Sequence, residues 1–193
     1  MTESDRRRPT PSEVAGRMGR FPMLAVSAGG LGFLRPASGT WGSLPPPAVA
    51  ALLVLAGQPG WMIDVCMVLL LLIGCVACLR FGQAAEEALG GKDPGAVVAD
   101  EVAGQAIALL GLPWIAVASW TGMGPAVDGV PAVVVDLAMI AAAFVLFRIF
   151  DVLKPPPANG LQRLGGGLGI LVDDLVAGAM ALVVLQLVVR LAF

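Results

Sequence analysis

The chain contains 193 residues, of which 58% are hydrophobic and 13% are charged, and its formal net charge is -2. Soluble domains average roughly 45–50% apolar and about 25% charged residues, so this composition is typical of a membrane protein. This net charge gives no indication of nucleic acid as a partner, which a clustered basic face would have signalled. The absence of histidine excludes any mechanism that needs an imidazole base.

The chain begins with a polar, arginine-rich stretch at residues 1–20. No apolar stretch with a small-residue cleavage site follows it, so it does not resemble a signal peptide. We predict a disordered cytoplasmic tail at residues 1–20 and a single helical membrane domain at residues 21–193. The mildly apolar residues 21–34 are consistent with a short interfacial helix or a loop.

Five apolar segments follow, and four of them approach the ~20 residues that a spanning helix needs. The first segment opens with three prolines and is too short to cross an ordinary bilayer unless it tilts, thins the membrane or re-enters. The sequence therefore predicts an all-α, polytopic membrane protein with about four to five apolar helices. The segments are residues 44–57, 61–79, 102–120, 131–150 and 175–193.

The basic residues indicate an orientation. If the N-terminus is inside and all five segments cross, every one of the 12 Lys and Arg residues except Arg190 lies on one side. The positive-inside rule makes that side the cytoplasm. The motif loops at residues 36–43, 80–101 and 150–174 then share the cytoplasmic face, and we expect the active site there.

The first motif loop contains the sequence GTWGS at residues 39–43, with Arg35 just upstream. Glycines, hydroxyls and a basic residue can form a backbone nest for a phosphate. Thr40 and Ser43 are therefore candidate phosphate ligands. The structural alternative is a helix entry capped by Ser or Thr.

Adjacent acids open the third apolar segment, where Asp100 and Glu101 follow a Pro-Gly turn. Carboxylate oxygens are hard ligands that could hold Mg²⁺ together with water and substrate phosphate. The helix dipole also favours acids at a helix N-terminus without any metal. Both interpretations remain open for this motif by itself.

A charged triplet closes the fourth apolar segment, because Arg148, Asp151 and Lys154 recur every three residues before three prolines. Residues at this spacing lie near each other at the end of one helix, and the prolines end it. The two cations suit phosphate oxygens, and Asp151 could act as a ligand or a base. A simple ion-pair ladder is the alternative.

Paired acids precede the last segment, where Asp173 and Asp174 follow a glycine run at residues 165–167. The glycines alone indicate a flexible loop, but two carboxylates at a membrane entrance are costly without a counter-ion. We predict that acids from several helix ends bind one metal. Together the motifs predict hydrolysis of a phosphomonoester assisted by Mg²⁺.

The motifs resemble, in sequence and in order, those of the phosphatidylglycerophosphatase A family. They are GTWGS at residues 39–43, DEVAG at 100–104, FRIFDVLKPPP at 147–157 and GGLGILVDDLVAG at 166–178. The resemblance extends from about residue 21 to the end of the chain. It implies a multi-pass, Mg²⁺-dependent phosphatase of phospholipid biosynthesis in the bacterial inner membrane, which converts phosphatidylglycerophosphate to phosphatidylglycerol at the cytoplasmic face.

The resemblance also implies roles for individual residues of this chain. The acids expected in catalysis are Asp100, Glu101, Asp151, Asp173 and Asp174. The expected metal ligands are Asp100, Glu101, Asp173 and Asp174. The phosphate-binding residues that the resemblance implies are Arg148 and Lys154, and the loop at residues 39–43 adds Thr40 and Ser43 as candidates from its residue types.

Two alternatives come from other protein classes. A phosphatidyl transferase that uses a nucleotide-activated lipid also gathers acids at the cytoplasmic membrane face, but its spaced Asp-Gly-x-x-Ala-Arg pattern is missing. A small metal-ion transporter would place its acids near the middle of the bilayer. The acids of this chain stand at predicted helix ends, which favours the phosphatase.

Overall fold

The computed structural model describes residues 9–115, 129–154 and 166–192. Within these ranges the chain forms eight α-helices and no β-strand, which confirms the predicted helical architecture. The helices are α1 Pro11–Met18, α2 Arg20–Val26, α3 Ser38–Gly42, α4 Pro45–Leu55, α5 Gly60–Leu89, α6 Ala99–Ala108, α7 Ala132–Leu153 and α8 Gly166–Ala192.

Three helices, α5, α7 and α8, are long and apolar enough to cross a membrane. At 30 residues, α5 rises roughly 45 Å, more than the ~30 Å of a hydrocarbon core. The sequence predicted that this helix ends near Leu79, but it continues to Leu89, so the charged stretch after Arg80 begins as a helix. Leu69 and Ile73 on α5 are exposed, as expected for a surface that contacts lipid.

The prediction of a spanning helix at residues 102–120 is wrong. Helix α6 ends at Ala108, and Gly111 then adopts a left-handed φ of 60°, a conformation that ends helices. Pro113 follows, and residues 116–120 lie outside the described ranges. Helix α6 is instead a short, almost completely buried helix that packs against α5, α7 and α8.

Helix α8 begins at Gly166, earlier than the predicted start at residue 175. Gly166 and Gly167 belong to the helix, and Gly167 packs directly on the backbone carbonyl of Cys78 in α5, where a side chain would not fit. A flexible loop was therefore the wrong interpretation of Gly166 and Gly167. The paired acids lie about two turns inside α8 rather than at its entrance.

Helices α4 to α8 alternate in direction and give the bundle two poles. At the distal pole, Asp64 near the start of α5 accepts a hydrogen bond from the Gly111 amide at 2.9 Å. Gln186 near the end of α8 donates to the carbonyl of the same glycine. We call the other end, which contains Asp100 at the start of α6 and Arg148 near the end of α7, the acidic pole.

The N-terminal region folds onto the acidic pole. Val14 on α1 is fully buried, and Arg17 donates a hydrogen bond of 2.6 Å to the Ala88 carbonyl at the end of α5. A capping box formed by Thr10 and Glu13 begins α1. The predicted disordered tail is therefore wrong for residues 9–20, and residues 1–8 lie outside the described ranges.

Candidate active site

The first pair of acids is held at the start of α6. The amide of Val98, just before the helix, donates to the Val26 carbonyl at 2.9 Å, which ties the start of α6 to α2. Asp100 and Glu101 occupy the first turn, where the helix dipole stabilises negative charge. Asp100 is only 5% exposed, so this carboxyl group lies inside the protein.

A third acid joins this pair because α6 and α8 approach each other very closely. A Cβ atom at Gly104 would lie 2.5 Å from the Asp174 carbonyl oxygen, and Gly178 packs on the Gly104 carbonyl in return. Only glycine permits this contact between backbones. As a result, one carboxylate oxygen each from Asp100, Glu101 and Asp174 lies within 4.8 Å of the others.

The three-acid cluster, Asp100, Glu101 and Asp174, contains buried oxygen atoms that need a positive partner. Oδ1 of Asp100, Oε2 of Glu101 and Oδ2 of Asp174 are buried and make no hydrogen bond within the described part of the chain. An anionic oxygen without a partner is costly to bury. The donor set, three hard carboxylate oxygens on two rigid helices, therefore fits a divalent cation such as Mg²⁺.

The pKa values of the α6 acids also indicate that the cluster needs a cation. Burial, followed by the charge of neighbouring Glu101, holds the pKa of Asp100 well above its ordinary range. Burial raises the pKa of Glu101 to about 8, and the charges of Asp174 and Asp151 contribute. These acids therefore cannot all stay ionised without a cation, and a bound cation would restore their negative charge.

Arg148 lies at the edge of the cluster. Its Nη1 atom forms an ion pair with Asp151 at 2.5 Å and a hydrogen bond to the Ser43 hydroxyl oxygen at 3.4 Å. The Ser43 hydroxyl in turn donates to the Gly39 carbonyl at 2.7 Å. Asp151 also lies within hydrogen-bonding reach of Asp174, so it connects the cation to the three acids.

Lys154 provides the second cation. It ends α7 with a left-handed φ of 43°, and its Nζ atom pairs with Asp173 at 2.5 Å. Burial lowers the pKa of Lys154, but the hydrogen bond and charge of Asp173 outweigh burial and raise the pKa above its ordinary value. Lys154 therefore remains positively charged beside the acids.

Residues 39–42 of this motif belong to a short helix, α3, and Ser43 caps the C-terminus of that helix. A Cβ atom at Gly39 would lie 2.6 Å from Oε1 of Glu101 and 3.1 Å from Nη1 of Arg148. Gly39 thus lets the backbone of α3 cover both side chains. Ser43 contacts Arg148 directly, whereas Thr40 is half-buried in the same helix.

The structure therefore brings most of the predicted residues together but divides the paired acids. Asp174 belongs to the three-acid cluster, while Asp173 pairs with Lys154.

The sequence did not assign Asp93 to the site. Burial raises the pKa of Asp93 and the charge of Lys154 opposes this shift, so Asp93 belongs to the same charged region as the second cation. Its position before Pro-Gly was the available signal, because Asp tolerates the left-handed φ that the turn uses.

Two other buried or half-buried acids lie far from this site. Asp64 accepts from the Gly111 amide at 2.9 Å, and Asp136 accepts from the Ile115 amide at 2.8 Å. Both carboxylates therefore stabilise the backbone at the distal pole.

Comparisons with known proteins connect this geometry to a family. The family model for phosphatidylglycerophosphatase A matches residues 24–189. A phosphatidylglycerophosphatase A from Haemophilus influenzae is 35% identical over 164 residues, covering 84% of each chain. The protein of that name from Escherichia coli is 33% identical over 161 residues, covering 82% of this chain and 77% of its own.

A third relative has a different name. A Bacteroides thetaiotaomicron protein, which carries the provisional name phosphatidylinositol-3-phosphatase, is 30% identical over 172 residues and is covered over 91% of its length. The relatives are thus named for phosphomonoesters on two different lipid headgroups. No solved structure significantly matches the chain.

Proposed function

The chain is a phosphatase of the phosphatidylglycerophosphatase A family, and we propose that it removes the terminal phosphate of phosphatidylglycerophosphate to leave phosphatidylglycerol. The observation that carries the proposal is the three-acid cluster, whose oxygens lie within 4.8 Å of one another, next to two cations. This arrangement combines a site for a divalent ion with positive groups for a phosphate. Neither alternative, the phosphatidyl transferase or the metal-ion transporter, is supported by the named relatives.

We assign Asp100, Glu101 and Asp174 as the residues that hold Mg²⁺. When bound, the ion would polarise the phosphoryl group and neutralise charge on its oxygens. Arg148 and Lys154 bind the remaining phosphate oxygens as a fork and a point charge, respectively. Their pairing with Asp151 and Asp173 fixes both cations before substrate arrives, so positioning supplies part of the catalysis.

Hydrolysis requires a water molecule, a proton acceptor and a leaving alcohol. Water attacks phosphorus, the bond between phosphorus and the glycerol oxygen breaks, and the proton that the water loses is passed on to the leaving glycerol oxygen. We assign the acceptance of the water proton to Asp151, because it lies between Arg148 and Asp174. Asp173 is a positioning residue that acts through Lys154.

We also propose that the acidic pole faces the cytoplasm of a bacterial inner membrane. Helix α6 is too short to span, but the directions of α4 to α8 still alternate, which supports a common face for the motif residues. The basic residues at this pole include Arg17, Arg148 and Lys154, whereas Arg190 lies at the end of α8. The excess of cations on one side is what the positive-inside rule requires.

A phosphate-release assay tests the function. Purified protein in detergent is given phosphatidylglycerophosphate with Mg²⁺ or with a chelator, and we expect release only with Mg²⁺. Parallel assays contain phosphatidylinositol 3-phosphate or lysophosphatidate, and we expect the glycerophosphate headgroup to be preferred. Faster phosphate release from phosphatidylinositol 3-phosphate would show that the proposed substrate is wrong. Full activity in the chelator would show that the reaction does not need the metal.

A further inference from the structure

A cavity of about 600 Å³ lies at the acidic pole. Volumes of this size are typical of sites for small ligands. Four parts of the chain surround the cavity: the start of α1, the segment that leads into α3, the end of α5 and the turn before α6. The lining residues are 9–11, 32–36, 38, 89 and 94–96.

Two lining residues of this cavity are sequence neighbours of the candidate active site. Ser38 lines the cavity, and the next residue, Gly39, packs on Glu101 and Arg148. Pro94 also lines the cavity and follows Asp93, where the charge of Lys154 opposes the rise in pKa that burial causes. The cavity is therefore near the site, although the acids and cations of the site are not among the described residues that line it.

The chemistry of the lining matches one part of a phospholipid headgroup. Arg35 is the only charged residue among those that line the cavity in the described part of the chain. Thr10 and Ser38 contribute hydroxyl groups, and most of the other side chains are apolar, including Phe33 and Leu34. One cation and no carboxylate suit a ligand that carries a single negative charge.

We propose that this cavity binds the phosphodiester and glycerol of the lipid substrate, with Arg35 paired to the phosphodiester. The inference rests on the proposed function, because phosphatidylglycerophosphate carries a phosphodiester one glycerol away from its terminal phosphate. Arg35 then favours substrates in which the phosphomonoester is attached to a lipid that also contains a phosphodiester. Phosphatidate, whose only phosphate is a monoester, leaves Arg35 without a partner and is a poorer substrate.

The test compares three variants on short-chain phosphatidylglycerophosphate in detergent. Arg35→Gln removes the proposed contact, Arg35→Lys retains a positive charge, and Arg20→Gln removes the same charge from an exposed position on α2 that does not line the cavity. Losing a charge-assisted hydrogen bond should raise KM by about 10-fold or more. We expect this rise in Arg35→Gln with little change in kcat, partial rescue in Arg35→Lys and no effect in Arg20→Gln.

A soluble probe, glycerophosphoglycerol, contains the phosphodiester but no phosphomonoester. It should compete with substrate in the wild type, raise the thermal unfolding temperature, and lose both effects in Arg35→Gln while keeping them in Arg20→Gln. Equal behaviour of the two glutamine variants, or a fall in kcat with unchanged KM, overturns the inference. If the wild type releases no phosphate from phosphatidylglycerophosphate, the proposed function fails, and the unfolding measurement still decides whether the cavity binds the probe.

Discussion

Consecutive residues on a helix point in different directions, and in α8 this separates two acids that the sequence presents as a pair. Successive side chains are rotated by about 100° around an α-helix. Asp174 therefore faces the acids of α6, while Asp173 faces Lys154. The sequence predicted that both acids belong to the site, but only the packing of α8 against α6 and α7 assigns each a partner.

The first prediction concerns the acids themselves. We expect Asp100→Asn and Asp174→Asn each to lower kcat for phosphate release by at least about 100-fold, because either change removes a charged oxygen from the cluster. Asp173→Asn should also abolish most turnover, since Lys154 loses the carboxylate that orients it.

Phosphate release and expression level are measured together. Asp64→Asn at the distal pole is the control and should retain near wild-type turnover, whereas undiminished turnover in Asp100→Asn and Asp173→Asn would refute the assigned roles.

The second prediction concerns Gly39. Its missing side chain leaves space that Glu101 and Arg148 occupy, with a Cβ position only 2.6 Å from Oε1 of Glu101. Gly39→Ala should displace both groups and lower kcat/KM by about 10-fold or more, because small misplacements at a catalytic site are costly. Gly16→Ala on α1, where a Cβ meets nothing within 4 Å, is the matched control. A Gly39→Ala enzyme with normal kcat/KM would show that α3 does not hold these side chains.

At the scale of elements, the two shortest helices of the bundle, α4 and α6, differ in how well the sequence predicted their lengths. The prolines that open α4 correctly indicated a short helix. The run at residues 102–120 is equally apolar, so hydropathy predicted a spanning helix, although Gly111 and Pro113 were signals for an earlier end. The burial of α6 by three neighbours depends on contacts distant in sequence, and no local pattern could have shown it.

The third prediction tests the crossing of α6 and α8. Gly178 packs against the backbone of Gly104, so Gly178→Ala forces the helices apart. We expect a loss of about 1–3 kcal/mol in the free energy of unfolding, as for other overpacked interiors. Activity should fall as well, because the shift moves Asp174 away from Asp100. Thermal unfolding and phosphate release are compared with those of Gly91→Ala, which adds the same methyl where nothing lies within 4 Å; equal stability of the two variants would contradict the prediction.

At the scale of the whole molecule, the bundle gathers most of its charged groups at one pole, whereas Asp64, Asp136 and Arg190 lie at the other. Hydropathy and the positive-inside rule predicted this division, because both depend on composition along the chain. For residues 9–20 the predicted disorder was wrong, because the polar and arginine-rich composition of the tail suggested it. Arg17 instead caps the end of α5, a contact between residues 71 positions apart that sequence patterns do not encode.

The last prediction concerns the cost of assembling these acids without a cation. Burial raises the pKa of Glu101 from an ordinary 4.5 to about 8, so the native state binds protons that the unfolded chain has released. In the presence of a chelator the free energy of unfolding should therefore decrease as the pH rises from about 4.5 to about 8. Mg²⁺ binds the deprotonated carboxylates and should stabilise the protein more at about pH 8 than at about pH 5.

Thermal unfolding in detergent, with chelator or with Mg²⁺ at each pH, measures both effects. The double variant Asp100→Asn with Glu101→Gln has no titrating groups at the start of α6, and its stability should depend less on pH and on Mg²⁺. Two results would contradict this account: a wild type that becomes more stable with rising pH in the chelator, or Mg²⁺ stabilising wild type and double variant equally. Either result would mean that the acidic pole tolerates its buried negative charge without a metal, and the carboxyl oxygens would then need another partner.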